Sequence, residues 1–499
     1  MDASYKLDEM EKNRINRVVN VFFESGIAIQ PEILDELISK SDEEIFEIIE
    51  KIKNKARNEE IILLTESLLR EINEEIKIPD FIEIKRASDF NPVAKEYSPE
   101  FKIWKDKDIT GKSRCKGEIE DFVRYFNDRF NKTKEIIISR PSNNRIVNLN
   151  FANSNNGKFR VIGIVNRKIE TKNGNILIEI EDETGFSNLL VLKGSEAFEK
   201  AKSLVTDEVL GFDIRTGKNF HIVEDLIFPD LSIKEKKKSE KNISIGFLSD
   251  THIGSRFFCN LEFDSMIKFL NGIKLNERER KIVESIGYLI FAGDVCDGIG
   301  VYPKQEKELV VKDIYEQYKI FSKFIELIPD YIHIFIAPGN HDGVRQTEPQ
   351  PALKEFIEEK DNIHLISNPA YLSIENFTVL VYHGTSLDSM ISSIPGLSYS
   401  KPEGAIIQLL KKRNLAPIYD KNEIAPENYD YMFIEDDIDI FHTGHIHRNA
   451  FTEYRNRIII NSGTWQSQTD FQLKQGHVPT PCILPVYNLR DGWIEHLKF

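Results

Sequence analysis

Five short motifs concentrate the residues able to do metal chemistry: Ser249-Asp250-Thr251-His252, Gly293-Asp294-Val295-Cys296-Asp297, Gly339-Asn340-His341-Asp342, His383-Gly384 and Gly444-His445-Ile446-His447. Each follows an apolar run, where a buried strand should end. Carboxylate, carboxamide and imidazole ligands together suit Mn, Fe, Zn or Co better than Ca. Asp250 and His252 lie one residue apart, so an extended segment projects both into one crevice. Asp294 has a pair of oxygens and can bridge two cations, Asn340 offers a neutral carbonyl oxygen, and His383, His445 and His447 offer ring nitrogens. Cations about 3.5–4 Å apart would clamp the attacking and leaving oxygens of an in-line displacement at phosphorus and acidify a shared water. A lone Asp-x-His or Gly-His-x-His is a weak signal. Five motifs in order, each at a strand end, point to one shared site.

Such a site needs elements that carry distant residues to one edge. From Ile243 onward, apolar runs alternate with longer helical stretches; the runs are Ile243–Leu248, Tyr288–Ala292, Ile332–Ala337, Thr378–Tyr382, Ile438–His442 and Ile458–Ile460. This predicts an α/β domain over 243–499 with mostly buried strands. In open α/β sheets, ligand sites gather beyond the carboxyl ends of the strands, which is where all five motifs fall.

Upstream the pattern changes to period two. Strands are expected at Phe159–Val165, Ile176–Ile180, Asn188–Leu192, Glu208–Ile214 and Phe220–Ile227, with a helix at Glu196–Ser203. Five strands with a helix between the third and fourth predict an OB-type β-barrel over 141–230. Such barrels stack single strands on aromatics. Few aromatics fall on these strands (Phe159, Phe212, Phe220), so packing between domains is the alternative role. Residues 1–76 read as a helical N-terminal module, with a capping box at Ser41 and Glu44, apolar spacing at Ile45, Ile48, Ile49 and Ile52, and Pro31 suited to a first helical turn. It is either a docking module or a structural appendage. Residues 77–140 read as a flexible linker with a helix near Glu118–Asn131, and 231–242 as a charged connector.

At 499 residues the chain is too long for one core. With a net charge of -15 the chain as a whole lacks the basic stripe usual in proteins that grip DNA over a wide face, so nucleic-acid contacts are expected to be either local or supplied by a partner. The basic runs at 234–241 and Lys411–Arg413 read as a solvated linker and a solvated helix end. The four cysteines show no paired spacing, which speaks against a zinc ribbon and fits a reducing compartment. No apolar run is long enough to span a membrane, and the start lacks the basic and apolar regions of a secretory signal. A cytoplasmic location is expected.

The ordered motifs resemble those of the calcineurin-like metallophosphoesterase superfamily over about residues 243–499. The resemblance implies that Asp250, His252, Asp294 and His447 hold one divalent metal ion, and that Asp294, Asn340, His383 and His445 hold the other. It further implies that His341 is catalytic and that the Asp297 carboxylate orients it. Protein serine/threonine phosphatases of this superfamily have arginine where Gly298 stands and glutamate where Asp342 stands, so nuclease or phosphodiesterase branches are favoured. The whole layout is similar to the small subunits of archaeal D-family DNA polymerases, as are Gly111–Cys115, the Pro402-Glu403-Gly404 loop and Leu409–Arg413. That resemblance implies a 3′–5′ exonuclease that proofreads DNA 3′ ends for a large catalytic polymerase subunit. Mn is the favoured ion, with Fe, Zn or Mg as alternatives. A stand-alone phosphodiesterase or repair nuclease, and a non-catalytic polymerase scaffold, are the competing readings.

Other residues have more than one reading. Arg256, Phe257 and Phe258 either guide a DNA end or pack a loop. The stretch 401–413 either touches phosphates or a partner, or is solvated. Trp465 is read as core, His333, His364 and His442 as core or surface, and Cys296 as pointing away from the metals.

Overall fold

In the C-terminal part, runs that are apolar at every position form strands buried on both faces. The computed structural model describes residues 14–38, 40–55, 63–65, 69 and 90–499. Every residue of the strands Ser244–Leu248, Ile286–Ala292 and Phe377–Val381 is buried. They belong to two six-stranded sheets. The first runs Ile363–Leu365, His333–Ala337, Ile286–Ala292, Ser244–Leu248, Ile483–Asn488, Ile494–Lys498, with its first four strands parallel. The second runs Asn449–Tyr454, Arg457–Ser462, Ile440–Thr443, Phe377–Val381, Ala370–Ile374, Phe101–Ile103, and is parallel only across its middle three strands.

The sheets meet face to face. Phe247, Ile290 and Phe335 of the first share a core with Leu372, Val379 and Ile440 of the second. Each fully buried side chain of this size contributes roughly 2 kcal/mol. Helices cover the outer faces. Asn260–Leu270 and Ile314–Glu326 pack through Phe263 and Phe324, ring centroids 5.3 Å apart, and Phe321 packs on Phe291 of the first sheet. Leu387–Ser393 and Glu403–Lys412 set Met390, Ile406 and Leu409 against Leu380 and Phe441 of the second.

Upstream, strands Lys158–Glu170, Ile176–Asp182, Gly185–Val191, His221–Ile227 and Val209–Arg215 pair in that order, and the last pairs back with the first. They close a five-stranded barrel. The first strand is longer than its apolar run because its N-terminal half pairs with Val209–Arg215 and its C-terminal half with Ile176–Asp182, across a bulge between Val165 and Arg167. Alternate residues, Val161, Val165, Ile178, Ile180, Phe212 and Ile214, fill the interior. Helix Glu196–Ala201 sits between the third and fourth strands in sequence. Phe212 is therefore core, while Phe220 precedes its strand and is exposed.

Several expectations need correction. The linker helix is Ile119–Ile138, longer than expected, because Phe130 and Ile137 pack on Ile162 and Val209 of the barrel. Residues 90–115 are packed rather than extended in solvent: Phe101–Ile103 is an edge strand on Ala370–Ile374, and Trp104 stacks on Tyr371 at 5.5 Å. The connector lysines are tied to acids, Lys234 and Lys237 to Asp439 and Lys241 to Glu375. Lys412 and Arg413 are buried, not solvated.

Residues 14–24 are helical, as are Leu34–Ile38 and Asp42–Lys55, the last of these headed by reciprocal Ser41–Glu44 bonds. Ile45, Ile48, Ile49 and Ile52 join Phe22 and Leu37 in one core. Two short strands, Ala28–Ile29 and Leu63–Leu64, also pair here. The remaining parts of the expected module at 1–13 and 56–76, and of the linker at 77–89, lie almost wholly outside the described residues. Among the described residues no helix is long and apolar enough to cross a membrane.

Candidate metal centre

Three parallel strands of the first sheet and two of the second end at one place. Ser244–Leu248 delivers Asp250 and His252, Ile286–Ala292 delivers Asp294, and His333–Ala337 delivers Asn340 and His341. Phe377–Val381 delivers His383, and Ile440–Thr443 delivers His445 and His447. The chain turns sharply as it leaves these strands. Five of the seven predicted ligands have left-handed backbones: Asp250 (φ 52°), His252 (47°), Asp294 (51°), His445 (66°) and His447 (56°). Such conformations cost about 1–3 kcal/mol each and persist where the surroundings over-determine them. Here cross-loop bonds do so: Asp250 N donates to Gly293 O at 2.9 Å, His252 N to Asp294 O at 3.0 Å and Gly444 N to His383 O at 2.8 Å. Two motif glycines make room for the carboxylates. A Cβ on Gly339 would lie 2.2 Å from Asp294 Oδ1, and one on Gly444 would lie 2.5 Å from Asp250 Oδ2.

Each carboxylate spends one oxygen on the backbone and keeps the other for the centre. Asp294 Oδ1 accepts from His341 N at 2.8 Å, and Asp250 Oδ2 accepts from His445 N at 2.9 Å. Asp294 Oδ2 then lies 3.2 Å from His383 Nε2 and 3.9 Å from His252 Nε2. Asp250 Oδ1 lies 3.3 Å from His447 Nε2 and 3.8 Å from His252 Nε2. His383 Nε2 faces Asn340 Oδ1 at 2.9 Å, and His252 Nε2 faces His447 Nε2 at 3.1 Å. Donor atoms of Asp250, His252 and His447 all lie within 4.8 Å of one another, as do those of Asp294, His383 and His445. All seven predicted ligands are thus brought together. By proximity alone His341 also groups with His252 and Asp294.

A second layer fixes the rings. His383 Nδ1 donates to Ala292 O at 2.7 Å, leaving Nε2 as the ring nitrogen turned to the centre, and His445 Nε2 meets Asp388 Oδ2 at 3.0 Å. His447 Nδ1 meets the Gln472 side chain at 2.7 Å. The Asp297 carboxylate, expected to orient His341, lies closer to another ring. Its Oδ1 accepts a hydrogen bond from His252 Nδ1 at 2.9 Å and stands 4.0 Å from His341 Nδ1. His341 instead donates from Nδ1 to the Asp297 main-chain carbonyl at 2.8 Å. Asp342, noted in the sequence only as a departure from glutamate, ties the second motif to the third: its carboxylate accepts from Gly339 N at 2.9 Å, Cys296 N at 3.2 Å and Tyr318 Oη at 2.9 Å. Burial and then the Asp294 charge push that carboxyl up to about 7.

The donor set fits cations on its own chemistry. Asp250 Oδ1 is buried and has no hydrogen-bond partner. Burial alone would lower the His252 and His383 rings, yet the adjacent Asp250 and Asp297 carboxylates hold the first up to about 10, and the Asp294 charge does the same for the second. The carboxylates therefore demand positive charge, and a divalent cation meets that demand by displacing protons from the rings.

The centre opens into a cavity of ≈ 510 Å³ lined by His341, Tyr302, Tyr399, Phe471, Gln472 and His477 among others. Tyr302, Tyr399, Phe471 and Gln472 carried no sequence motif; the only local signal is the Thr469–Gln472 capping box that starts helix Asp470–Gln475. Phe258 is buried and Arg256 pairs with Asp470 at 3.3 Å, so that loop packs rather than lining the cavity. Trp465 and Cys296 are buried, and His442 bonds Ser462 Oγ at 2.9 Å inside the core. His333 and His364 stack on each other, centroids 5.3 Å apart.

Residues 243–449 match the calcineurin-like phosphoesterase family. Among curated proteins, the chain is 42% identical over 407 residues to the DNA polymerase II small subunit of Methanocaldococcus jannaschii, covering 80% of this chain and 68% of the relative. The subunit of that name from Archaeoglobus fulgidus is 41% identical over 397 residues, 79% of this chain and 80% of its own. That of Methanothermobacter thermautotrophicus is 34% identical over 497 residues, 97% of this chain and 100% of its own. Among solved structures, an archaeal phosphodiesterase aligns with 52% of this chain and 100% of its own at 17% identity and a TM-score of 0.25. The chain belongs to the family of archaeal DNA polymerase II small subunits, with a calcineurin-like phosphoesterase domain beginning at residue 243.

Proposed function

We propose that this chain is the proofreading subunit of a two-subunit replicative DNA polymerase, a 3′–5′ exonuclease acting at a dinuclear metal centre beside a separate large catalytic subunit. The observation that carries the reading is the place of Asp294 Oδ2 between the ligand groups, 3.2 Å from His383 Nε2 and 3.9 Å from His252 Nε2. On this reading one cation is held by Asp250, His252, Asp294 and His447, and the other by Asp294, Asn340, His383 and His445. Mn is the favoured ion, with Fe, Zn or Mg as alternatives.

A bound pair of divalent cations supplies positive charge to the phosphate oxygens and acidifies water. The chain's own residues do the rest. The Nδ1–H bond of His341 to the Asp297 carbonyl leaves Nε2 as the nitrogen that exchanges a proton, and that proton goes to the departing 3′ oxygen. Tyr302, Tyr399 and Phe471 on the cavity wall stack the last bases of a single strand. A mismatched end enters more readily than a paired one because less unpairing energy is required. The acidic net charge leaves the basic DNA channel to the large subunit. The same reading takes residues 141–230 as an OB-type barrel, supported by the strand order and the helix Glu196–Ala201. It takes residues 1–76 as a docking module.

The test is digestion of a mismatched primer end by the purified chain with Mn, beside Asp294→Ala and His341→Ala. Both variants are expected to lose digestion, and equal digestion by all three proteins would reject the assignment.

A further inference from the structure

We propose a third cation site, separate from the phosphoesterase centre, in which Cys259, Glu262 and Cys482 hold a thiophilic divalent ion of the zinc class. One ligand atom from each of these residues lies within 4.8 Å of the other two. A tetrahedral zinc with bonds of about 2.3 Å to sulfur and about 2.0 Å to oxygen holds its ligand atoms roughly 3.5–3.8 Å apart, so atoms already within 4.8 Å of one another would draw in by at most about 1 Å, with water completing the tetrahedron. The cluster stands on rigid elements. Cys259 is the N-cap position of helix Asn260–Leu270, Glu262 lies in its first turn, and Cys482 immediately precedes strand Ile483–Asn488. Cys259 and Glu262 are half-buried and Cys482 is buried, so an ion has a way in and little room to leave.

The backbone at Cys482 is left-handed, with φ 61°, a conformation a non-glycine residue adopts only when held there. Cys482 N donates to Thr464 O at 2.9 Å, and Phe499 N donates to Cys482 O at 3.0 Å. Cys259 N donates to the next carbonyl along, Trp465 O, at 2.8 Å. Both cysteines therefore hang on the Thr464–Trp465 peptide. That peptide in turn holds the first metal-ligand loop: Trp465 N and Thr464 Oγ1 each donate to the Asp250 carbonyl at 2.9 Å. An ion at the cysteines would clip together the ends of segment 466–481, which lines the cavity, and stiffen the support of Asp250.

Without an ion, the Cys259 thiol beside it and then burial push the Cys482 thiol above its ordinary range. Binding therefore breaks both S–H bonds, forms two sulfur–metal bonds and one carboxylate–metal bond, and releases two protons to solvent. No redox partner is required.

The phosphoesterase centre offers only nitrogen and oxygen donors, so a thiolate signal isolates the new site. Full-length protein reconstituted with Co²⁺ is expected to show thiolate-to-cobalt charge-transfer absorption in the near ultraviolet. Cys259→Ser and Cys482→Ser should abolish it, Cys115→Ser should keep it, and Glu262→Gln should keep the band but bind cobalt more weakly. In the wild-type chain, Zn²⁺ should protect Cys259 and Cys482, but not Cys115, from alkylation, a reading that does not depend on any variant folding. The proposal is overturned by absence of the band in wild type, by its survival in either cysteine variant, by unchanged cobalt affinity in Glu262→Gln, by alkylation of Cys259 and Cys482 that zinc leaves unchanged, or by a Cys259–Cys482 disulfide in the protein as purified.

Discussion

Two buried clusters in this chain both hold carboxylates and compensate their charge differently. Where the barrel meets the phosphoesterase domain, Lys412 donates to Glu208 Oε2 and to Ser203 O, both at 2.8 Å. Arg129 donates to Asp430 Oδ2 and Pro417 O, both at 3.1 Å, and Arg413 donates to Asp436 Oδ1 at 2.9 Å. Burial pulls the Lys412 amine below the usual lysine range and Glu208 pulls it back, but the pair is complete within the chain. At the strand ends, Asp250, Asp294 and Asp297 crowd against imidazoles, and among the described residues their ion pairs are with histidine alone. Removing a charge from water costs several kcal/mol unless a partner compensates. The junction compensates with lysine and arginine and gains a fixed geometry. The centre withholds any lysine or arginine, so its compensation must come from solution. A buried carboxylate therefore does not by itself mark a functional site; one whose counter-charge is missing from the sequence does.

The sharpest way to break this contrast is to neutralise Asp294, the carboxylate proposed to bridge the cations. Asp294→Asn keeps the size of the side chain and is expected to lower DNA hydrolysis on the order of 10³-fold. Metal analysis should show fewer bound ions, with the unfolding midpoint close to wild type. Full activity with full metal content would mean the bridge is not at Asp294. The junction should behave the other way. Lys412→Met strands the Glu208 carboxylate in the interior and should cost about 3–5 kcal/mol of stability in chemical unfolding, while metal content per folded chain stays unchanged. Lys412→Met combined with Glu208→Leu should recover most of that loss, since an apolar pair of similar volume is tolerated where a half pair is not. A single variant as stable as wild type would show that the pair is not essential.

How far this contrast was legible in the sequence depends on whether its cause is local. The residues gathered at the strand ends were legible because each follows an apolar run, such as Tyr288–Ala292, and because their spacing is a family pattern. The barrel strands were legible from alternation, as in Ile176–Ile180. The edge strand Phe101–Ile103 was not, because three residues in a proline-broken segment gain their structure from pairing with Leu372 and Ile374, far along the chain. Lys412 and Arg413 read as a solvated run because composition is local and their partners Glu208 and Asp436 are not. Cys259 and Cys482 escaped a search by spacing for the same reason. For Asp297 the motif could not separate two atoms: the main-chain carbonyl meets His341, and the carboxylate meets His252.

That atomic distinction gives the next test. Asp297→Asn removes the charge from His252 Nδ1 while leaving the carbonyl that holds His341 in place. Loss of such an outer partner weakens metal affinity by about 10–100-fold. Activity should fall at low Mn and return as Mn is raised, whereas activity lost in His341→Ala should not return. Failure of added metal to rescue Asp297→Asn would restore the carboxylate to the role of orienting His341.

The smallest expected effect lies on the cavity wall. Phe471 is 59% exposed on helix Asp470–Gln475, so its ring is free to meet a ligand. It lines the cavity together with the metal-centre histidines, and neighbouring Gln472 bonds His447. A ring on the cavity wall can stack on a base of the strand being cut without touching the scissile phosphate. Base–aromatic stacking is worth about 1–3 kcal/mol per base. Phe471→Ala should therefore raise KM for single-stranded 3′ ends by about tenfold, leave kcat nearly unchanged, and have no effect on a small phosphodiester that has no base to stack. An equal loss on the small ester would mean that Phe471 acts through the helix that positions Gln472, and so belongs to the metal centre rather than to the path of the strand.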